Sequence, residues 1–115
     1  MTSEKKQSVV GFTATLAAAL LLGWAGAAAA QSPAAQRGQT FVLANCVRCH
    51  AVDKVSASSL KIAPPFRTLH LRYPVESLEE ALGEGIVTGH PSMPEFRLDP
   101  GQVGDVIAYL KLLER

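Results

Sequence analysis

The sequence predicts an all-α domain, on three observations. No stretch alternates apolar and polar residues at a period of two, and no two-residue hairpin turn signal separates apolar runs. The C-terminal segment carries an apolar stripe at helical spacing behind a strong cap. A second capped helix opens at Ser32-Pro33, and no internal repeat divides the region between them.

The chain first divides near residue 30. Lys5 and Lys6 give a basic start, and an apolar stretch runs from Val9 through Leu16, Leu20, Leu21, Leu22 and Trp24. Ala28-Ala29-Ala30 then offers the small-x-small pattern of a cleavage site before Gln31. Residues 1–30 therefore read as an export signal peptide and residues 31–115 as the working domain. The alternative is an uncleaved anchor, since Val9 to Ala30 is long enough to cross a bilayer. Its Ala- and Gly-rich composition and short strongly apolar centre favour the cleaved signal.

Ser32 is a capping residue followed by proline at the first helical position, so the first helix starts there and runs through Gly38, Phe41, Val42 and Asn45 into Cys46. Gly38 costs about 1 kcal/mol relative to alanine in mid-helix, which suggests a second backbone passing close. Ala51 to Lys61 is polar and serine-rich, a surface loop. Ala63-Pro64-Pro65-Phe66 is stiff, because each proline fixes its own φ and restricts its predecessor. Phe66 to Arg72 allows a turn of helix before Tyr73-Pro74. Ser77-Leu78-Glu79-Glu80 has the form of a capping box, opening a helix that stops near Gly85. Asp99-Pro100-Gly101-Gln102 caps the last helix, whose stripe is Val103, Val106, Ile107, Leu110 and Leu113, with Tyr109 just beside it.

The chemistry is concentrated in Cys46-Val47-Arg48-Cys49-His50, which holds the only two cysteines. This is the spacing for covalent attachment of a c-type haem. Two thiols on one turn can add across the two vinyl groups on one edge of the porphyrin, and the histidine that follows can swing under the iron as the proximal ligand. A thioredoxin-like couple would require a strand-helix-strand setting that the sequence lacks. A zinc site could recruit Cys46, Cys49, His50 and either His70 or His90, but structural zinc usually draws on two paired knuckles and only one pair exists.

A metal-bound imidazole needs an acceptor on its other nitrogen, and the rigid Ala63-Pro64-Pro65 loop supplies free carbonyls. In Thr88-Gly89-His90-Pro91-Ser92-Met93-Pro94, prolines and a glycine stiffen a loop around the only methionine besides Met1. Methionine usually fills cores from a helix or strand face. Held in a loop instead, Met93 is the foremost candidate for a second axial ligand, with His90 and His70 as rivals.

Assembled in order, Cys46-Val47-Arg48-Cys49-His50, Ala63-Pro64-Pro65-Phe66, Met93-Pro94 and Asp105-Val106-Ile107-Ala108-Tyr109-Leu110-Lys111 resemble the class I (mono-haem) cytochrome c family, from about Ala35 to Leu113. The resemblance implies the small cytochrome c fold, three main helices and loops wrapped around one haem c held by two thioether links. It implies His50 and Met93 as iron ligands and the Pro64 carbonyl against the proximal histidine, with Ala63 standing where the family has glycine. It also implies a first-to-last helix crossing at Gly38 and Tyr109, with Val42 where an aromatic is often found. Trp24 is the only tryptophan and lies in the leader, so a propionate-holding tryptophan is absent and Tyr73, Arg67 or Arg72 would take that role.

The implied function is a periplasmic one-electron carrier, a monomer and not an enzyme, docking transiently with redox protein partners such as a dehydrogenase, reductase or oxidase. A membrane enters only if the leader is kept. The alternatives are a haem protein whose sixth position opens to peroxide or a gas, or an electron-transfer subunit dedicated to one dehydrogenase or oxidase. Without Glu4, Lys5 and Lys6 of the leader, the eleven Lys and Arg and ten Asp and Glu become nine of each, so no basic character points to nucleic acid.

Overall fold

The structure, a computed structural model, describes residues 30–85 and 92–115. The leader expected before Ala30, with Trp24, and the rival ligand His90 lie outside the described residues. Gln31–Arg115 form one compact unit. Among the described residues there is no strand, and no helix is long and apolar enough to cross a membrane.

Three α-helices carry the architecture: α1 (Pro33–Asn45), α2 (Leu78–Glu84) and α3 (Pro100–Leu113). Short 3₁₀ turns at Phe66–Leu71 and Val75–Ser77 lead into α2. In α1 the Ser32 hydroxyl accepts the Ala35 N–H at 3.2 Å, and Pro33 takes the first turn, where its missing N–H costs nothing. Ala35, Gly38 and Val42 form its buried face, while Asn45 is exposed and donates back to the Phe41 carbonyl at 2.8 Å. The Cys46 N–H still bonds to the Val42 carbonyl at 2.8 Å, so the attachment motif starts as the last turn of α1.

In α3 the Asp99 carboxylate accepts the Gln102 N–H at 2.8 Å and the Gln102 amide oxygen accepts the Asp99 N–H at 3.2 Å, a complete capping box. The stripe Val103, Val106, Ile107, Leu110 and Leu113 is buried as its spacing requires, and Tyr109 joins it. With Val42, Val52, Leu69 and Val75 these residues make up the core.

The two long helices cross at Gly38. A Cβ there would come within 1.9 Å of the Asp105 carbonyl oxygen and 3.0 Å of the Tyr109 Cβ, so the backbones meet where only glycine leaves room. Beside the crossing, Arg37 grips Asp105 through two hydrogen bonds of 2.7 Å. That contact holds the Asp105 carboxyl below its usual range, so whatever it adds to stability is present above the ordinary carboxylate pKa and is lost as pH falls through the lowered value. The Tyr109 phenol passes over the crossing and donates to the Val52 carbonyl at 2.7 Å, tying α3 to the chain just beyond His50.

One expectation fails. The capping box at Ser77-Leu78-Glu79-Glu80 does not form: Ser77 makes no side-chain capping bond and has φ −64°, ψ −12°. An N-cap hydroxyl reaches back only from extended backbone, whereas Ser77 is already inside the 3₁₀ turn that Pro74 starts. The helix begins by tightening from that turn, with Glu79 and Glu80 at its positive end. It stops at Gly85, whose φ of 103° is one that L side chains rarely adopt.

Gly38→Ala should destabilise the holoprotein by about 3 kcal/mol in urea unfolding, the upper end of overpacking costs, because a rigid backbone carbonyl stands in the way. Gly104→Ala, on exposed α3 surface with nothing within 4 Å, should instead be neutral or stabilise by up to about 1 kcal/mol. Tyr109→Phe should cost about 1–3 kcal/mol by the same measurement, since it leaves the buried Val52 carbonyl without its donor.

Candidate haem site

The motif leaves α1 as a tight turn in which the N–H groups of Cys49 and His50 both bond back to the Cys46 carbonyl, at 3.2 and 3.0 Å. The loop that follows folds against this turn. Leu60 N–H bonds to the Cys49 carbonyl at 3.1 Å, Phe66 N–H to the Ala51 carbonyl at 2.9 Å, and Ala51 N–H to the Ser58 hydroxyl at 3.0 Å. These bonds bring Pro64 to the imidazole. His50 Nδ1 lies 2.8 Å from the Pro64 carbonyl oxygen. A carbonyl can only accept, so Nδ1 is the nitrogen that donates, and Nε2 is the one left to act as a metal ligand. The Phe66 ring lies against the imidazole, with centroids 4.8 Å apart and planes at 38°, and restricts its rotation.

Cys46, Cys49, His50, Pro64 and Met93 all line one cavity of about 550 Å³. Its walls are mostly apolar: Phe41, Leu69, Leu82, Phe96, Val106 and Leu110 among them. Phe41 and Phe96 meet edge to face at 5.9 Å, joining α1 to the segment that follows Met93. Met93 is half-buried, between Ser92 and Pro94, which line the cavity too.

The rival ligand His70 lies in the 3₁₀ turn Phe66–Leu71 and does not line the cavity. Its Nδ1 is buried with no hydrogen-bond partner. Among the propionate candidates, Arg72 and Tyr73 line the cavity and Arg67 does not. Arg67 turns away to donate to the Ser56 carbonyl at 2.6 Å. The contact of Phe66 with His50 and the place of Phe96 in the cavity wall are not legible in the sequence. Phe66 stood beside the prolines and Phe96 three residues after Met93, but position along the chain carries no contact information.

The family model for cytochrome c matches residues 35–114. The chain belongs to the cytochrome c family. No curated protein and no solved structure matches it significantly. As a cytochrome c it is a haem c electron-transfer protein, with the two cysteines and the histidine of the attachment motif in sequence.

The residues present fit the group. Cys46 and Cys49 are not joined as a disulfide. Burial pushes the Cys46 thiol up to about 11, so this sulfur sits where a charge is disfavoured. A thioether carries no charge and suits that position, whereas a zinc thiolate must be ionised. Among the described residues, no group of three or more His, Cys, Asp and Glu gathers as a metal-binding cluster. The apolar walls match a flat aromatic body, and His50, with Nδ1 taken by Pro64, has Nε2 left as a ligand suited to iron.

Val42, Leu69, Val106 and Leu110 belong to the core and also line this cavity, so core and cofactor share walls. A domain of this size is marginal without such help. The double variant Cys46→Ala/Cys49→Ala, prepared free of haem, should therefore lack the cooperative melt of the holoprotein in far-ultraviolet circular dichroism. A haem-free melt as sharp and as high as that of the holoprotein would contradict this.

Proposed function

We propose that the protein is a periplasmic one-electron carrier in which His50 and Met93 are the axial ligands of a haem held covalently by Cys46 and Cys49. The observation that carries the reading is that His50, oriented by Pro64, and Met93 line the same apolar cavity as the two cysteines. When bound, haem c supplies an iron that passes between the ferrous and ferric states by one electron.

The side chains serve that change by staying still. The Pro64 carbonyl holds the Nδ1–H of His50, which fixes both the tautomer and the ring orientation and makes Nε2 a better donor. Phe66 braces the same ring from its face. Met93 offers a neutral thioether, which favours the reduced ion and raises the potential. The apolar walls exclude water and act in the same direction, since they disfavour the extra charge of the oxidised state. Neither ligand gains or loses a proton, so little in the protein has to rearrange as the electron passes.

Export supports the periplasmic location: residues 1–30 read as a signal peptide, and haem attachment through two cysteines suits a compartment outside the cytoplasm. The partners are redox proteins engaged through small, transient contacts.

The ferric holoprotein should show the weak long-wavelength absorption band of methionine-to-iron coordination. Met93→Ala should keep haem attached, abolish that band and lower the midpoint potential. An unchanged spectrum and potential in Met93→Ala would move the ligand to a histidine. A wild-type protein without the band that binds carbon monoxide or peroxide readily would favour an enzyme or sensor instead.

A further inference from the structure

Met93 stands two residues before Glu95, with Pro94 between them. Proline fixes its own φ and confines the residue before it to extended backbone, so a restraint on Glu95 reaches Met93 with little slack. Three contacts fix the segment that follows. The Phe96 ring meets Phe41 of α1 edge to face, and the Leu98 N–H bonds to the Leu82 carbonyl at 2.9 Å. The third is the contact of Glu95 with Gly85, at the end of α2. Of the three, only this one is made by an exposed side chain lying on a bare glycine.

Gly85 makes that contact possible in two ways. Its φ of 103° suits glycine, and its missing side chain leaves a face on which other groups can lie. A Cβ there would collide with Oε1 of Glu95 and come within 3.1 Å of the Glu95 Cδ and 3.2 Å of the Arg97 Nε. Both side chains therefore rest where a side chain of residue 85 would stand. Arg97 grips the same Glu95 oxygen twice, through Nε at 3.2 Å and Nη2 at 3.1 Å. The signs of these charges fit the place. α2 ends in Glu84 with no basic residue in its last turn, so the helix itself offers no cation to the partial negative charge of its final carbonyls. Arg97 brings one, and Glu95 holds the guanidinium there. A carboxylate alone at that end would be repelled.

We infer that Gly85, Glu95 and Arg97 are positioning residues for Met93, a clip that holds the methionine segment on the end of α2 and sets how readily the thioether gives way to another ligand. The inference rests on the reading of Met93 as an axial ligand. None of the three residues lines the cavity, so they act on the site through Pro94 and the backbone. Glu95 and Arg97 are both exposed, and an exposed pair contributes little to global stability. The effect of this pair is local. Releasing it frees one short segment while the two long helices and the attachment loop keep their own contacts.

The test is the affinity of the ferric holoprotein for imidazole, which binds the iron only where the methionine has left, read beside urea unfolding followed by far-ultraviolet circular dichroism. Glu95→Ala and Arg97→Ala should each raise that affinity about threefold, the range of an exposed pair. Gly85→Ala should raise it about tenfold, because it also strains the backbone. Glu95→Gln keeps an oxygen for Arg97 and should recover most of the wild-type value. The urea midpoint of Glu95→Ala should stay close to wild type. Glu76→Gln breaks another exposed pair, with Lys111, and should leave the affinity unchanged. In a Met93→Ala background Glu95→Ala should have no effect, since the clip acts only through the thioether. Should Gly85→Ala fail to fold, the Glu95 and Arg97 variants decide. Unchanged imidazole affinity in both, or an equal rise in the Met93→Ala background, would overturn the clip and leave Met93 as the ligand. A fall in the Glu95→Ala urea midpoint with no change in affinity would assign the pair to the fold alone and overturn the clip. If Met93→Ala itself does not raise imidazole affinity, the ligand assignment fails and the clip fails with it.

Discussion

The close approach of α1 and α3 at Gly38 is the constraint on which the other parts depend. Because the Asp105 carbonyl occupies the space where a Cβ would stand, the helices lie near enough for Arg37 to grip Asp105 from outside. The same approach lets Tyr109 reach across to Val52. That last bond matters for the site, since Val52 stands two residues after His50. The crossing thus ties α1, which ends just before Cys46, and α3 to the chain that follows the imidazole.

The remaining geometry is local and economical. A helix ending in a tight turn presents two sulfurs and an imidazole, and a loop stiffened by two prolines folds back to offer one carbonyl. Hydrogen bonds from Leu60, Ala63 and Phe66 close that loop on itself, and Tyr109 ties it to α3 at Val52. The apolar side chains that line the cavity come from α1, α2, α3 and the turns between them, so the site is chemically local but sterically shared.

Much of this could be read from sequence where the determinant is short-range. The cap and stripe of α3 and the Ser32-Pro33 start of α1 are local signals, and the structure contains them. Gly38 required a second helix to explain it, and its partner is the carbonyl of Asp105. Ser77 shows the limit of such reading. Spacing alone suggested a cap, but a hydroxyl caps only from the right backbone conformation, and the preceding proline had already started a turn. The site divides in the same way. Cys46, Cys49, His50 and Met93 stood out by residue type and spacing and Pro64 through the family resemblance, and the structure gathers them on one cavity. The separation of Arg72 and Tyr73 from Arg67, and the contact of Phe66 with His50, depend on how a 3₁₀ turn is rotated, which no spacing rule encodes.

The loop between Cys46 and Phe66, closed by its own hydrogen bonds, divides the site into two modules. Everything that orients the imidazole lies within that loop, whereas Met93 and Phe96 arrive on a separate segment between Gly85 and α3. They join the rest of the site through apolar packing, such as the edge of Phe96 against Phe41 of α1. Packing of this kind tolerates change in a way that a hydrogen-bonded turn does not. The chain around the methionine can therefore drift in length and sequence while the attachment loop stays intact, so the surroundings of one ligand are free to vary without disturbing the other.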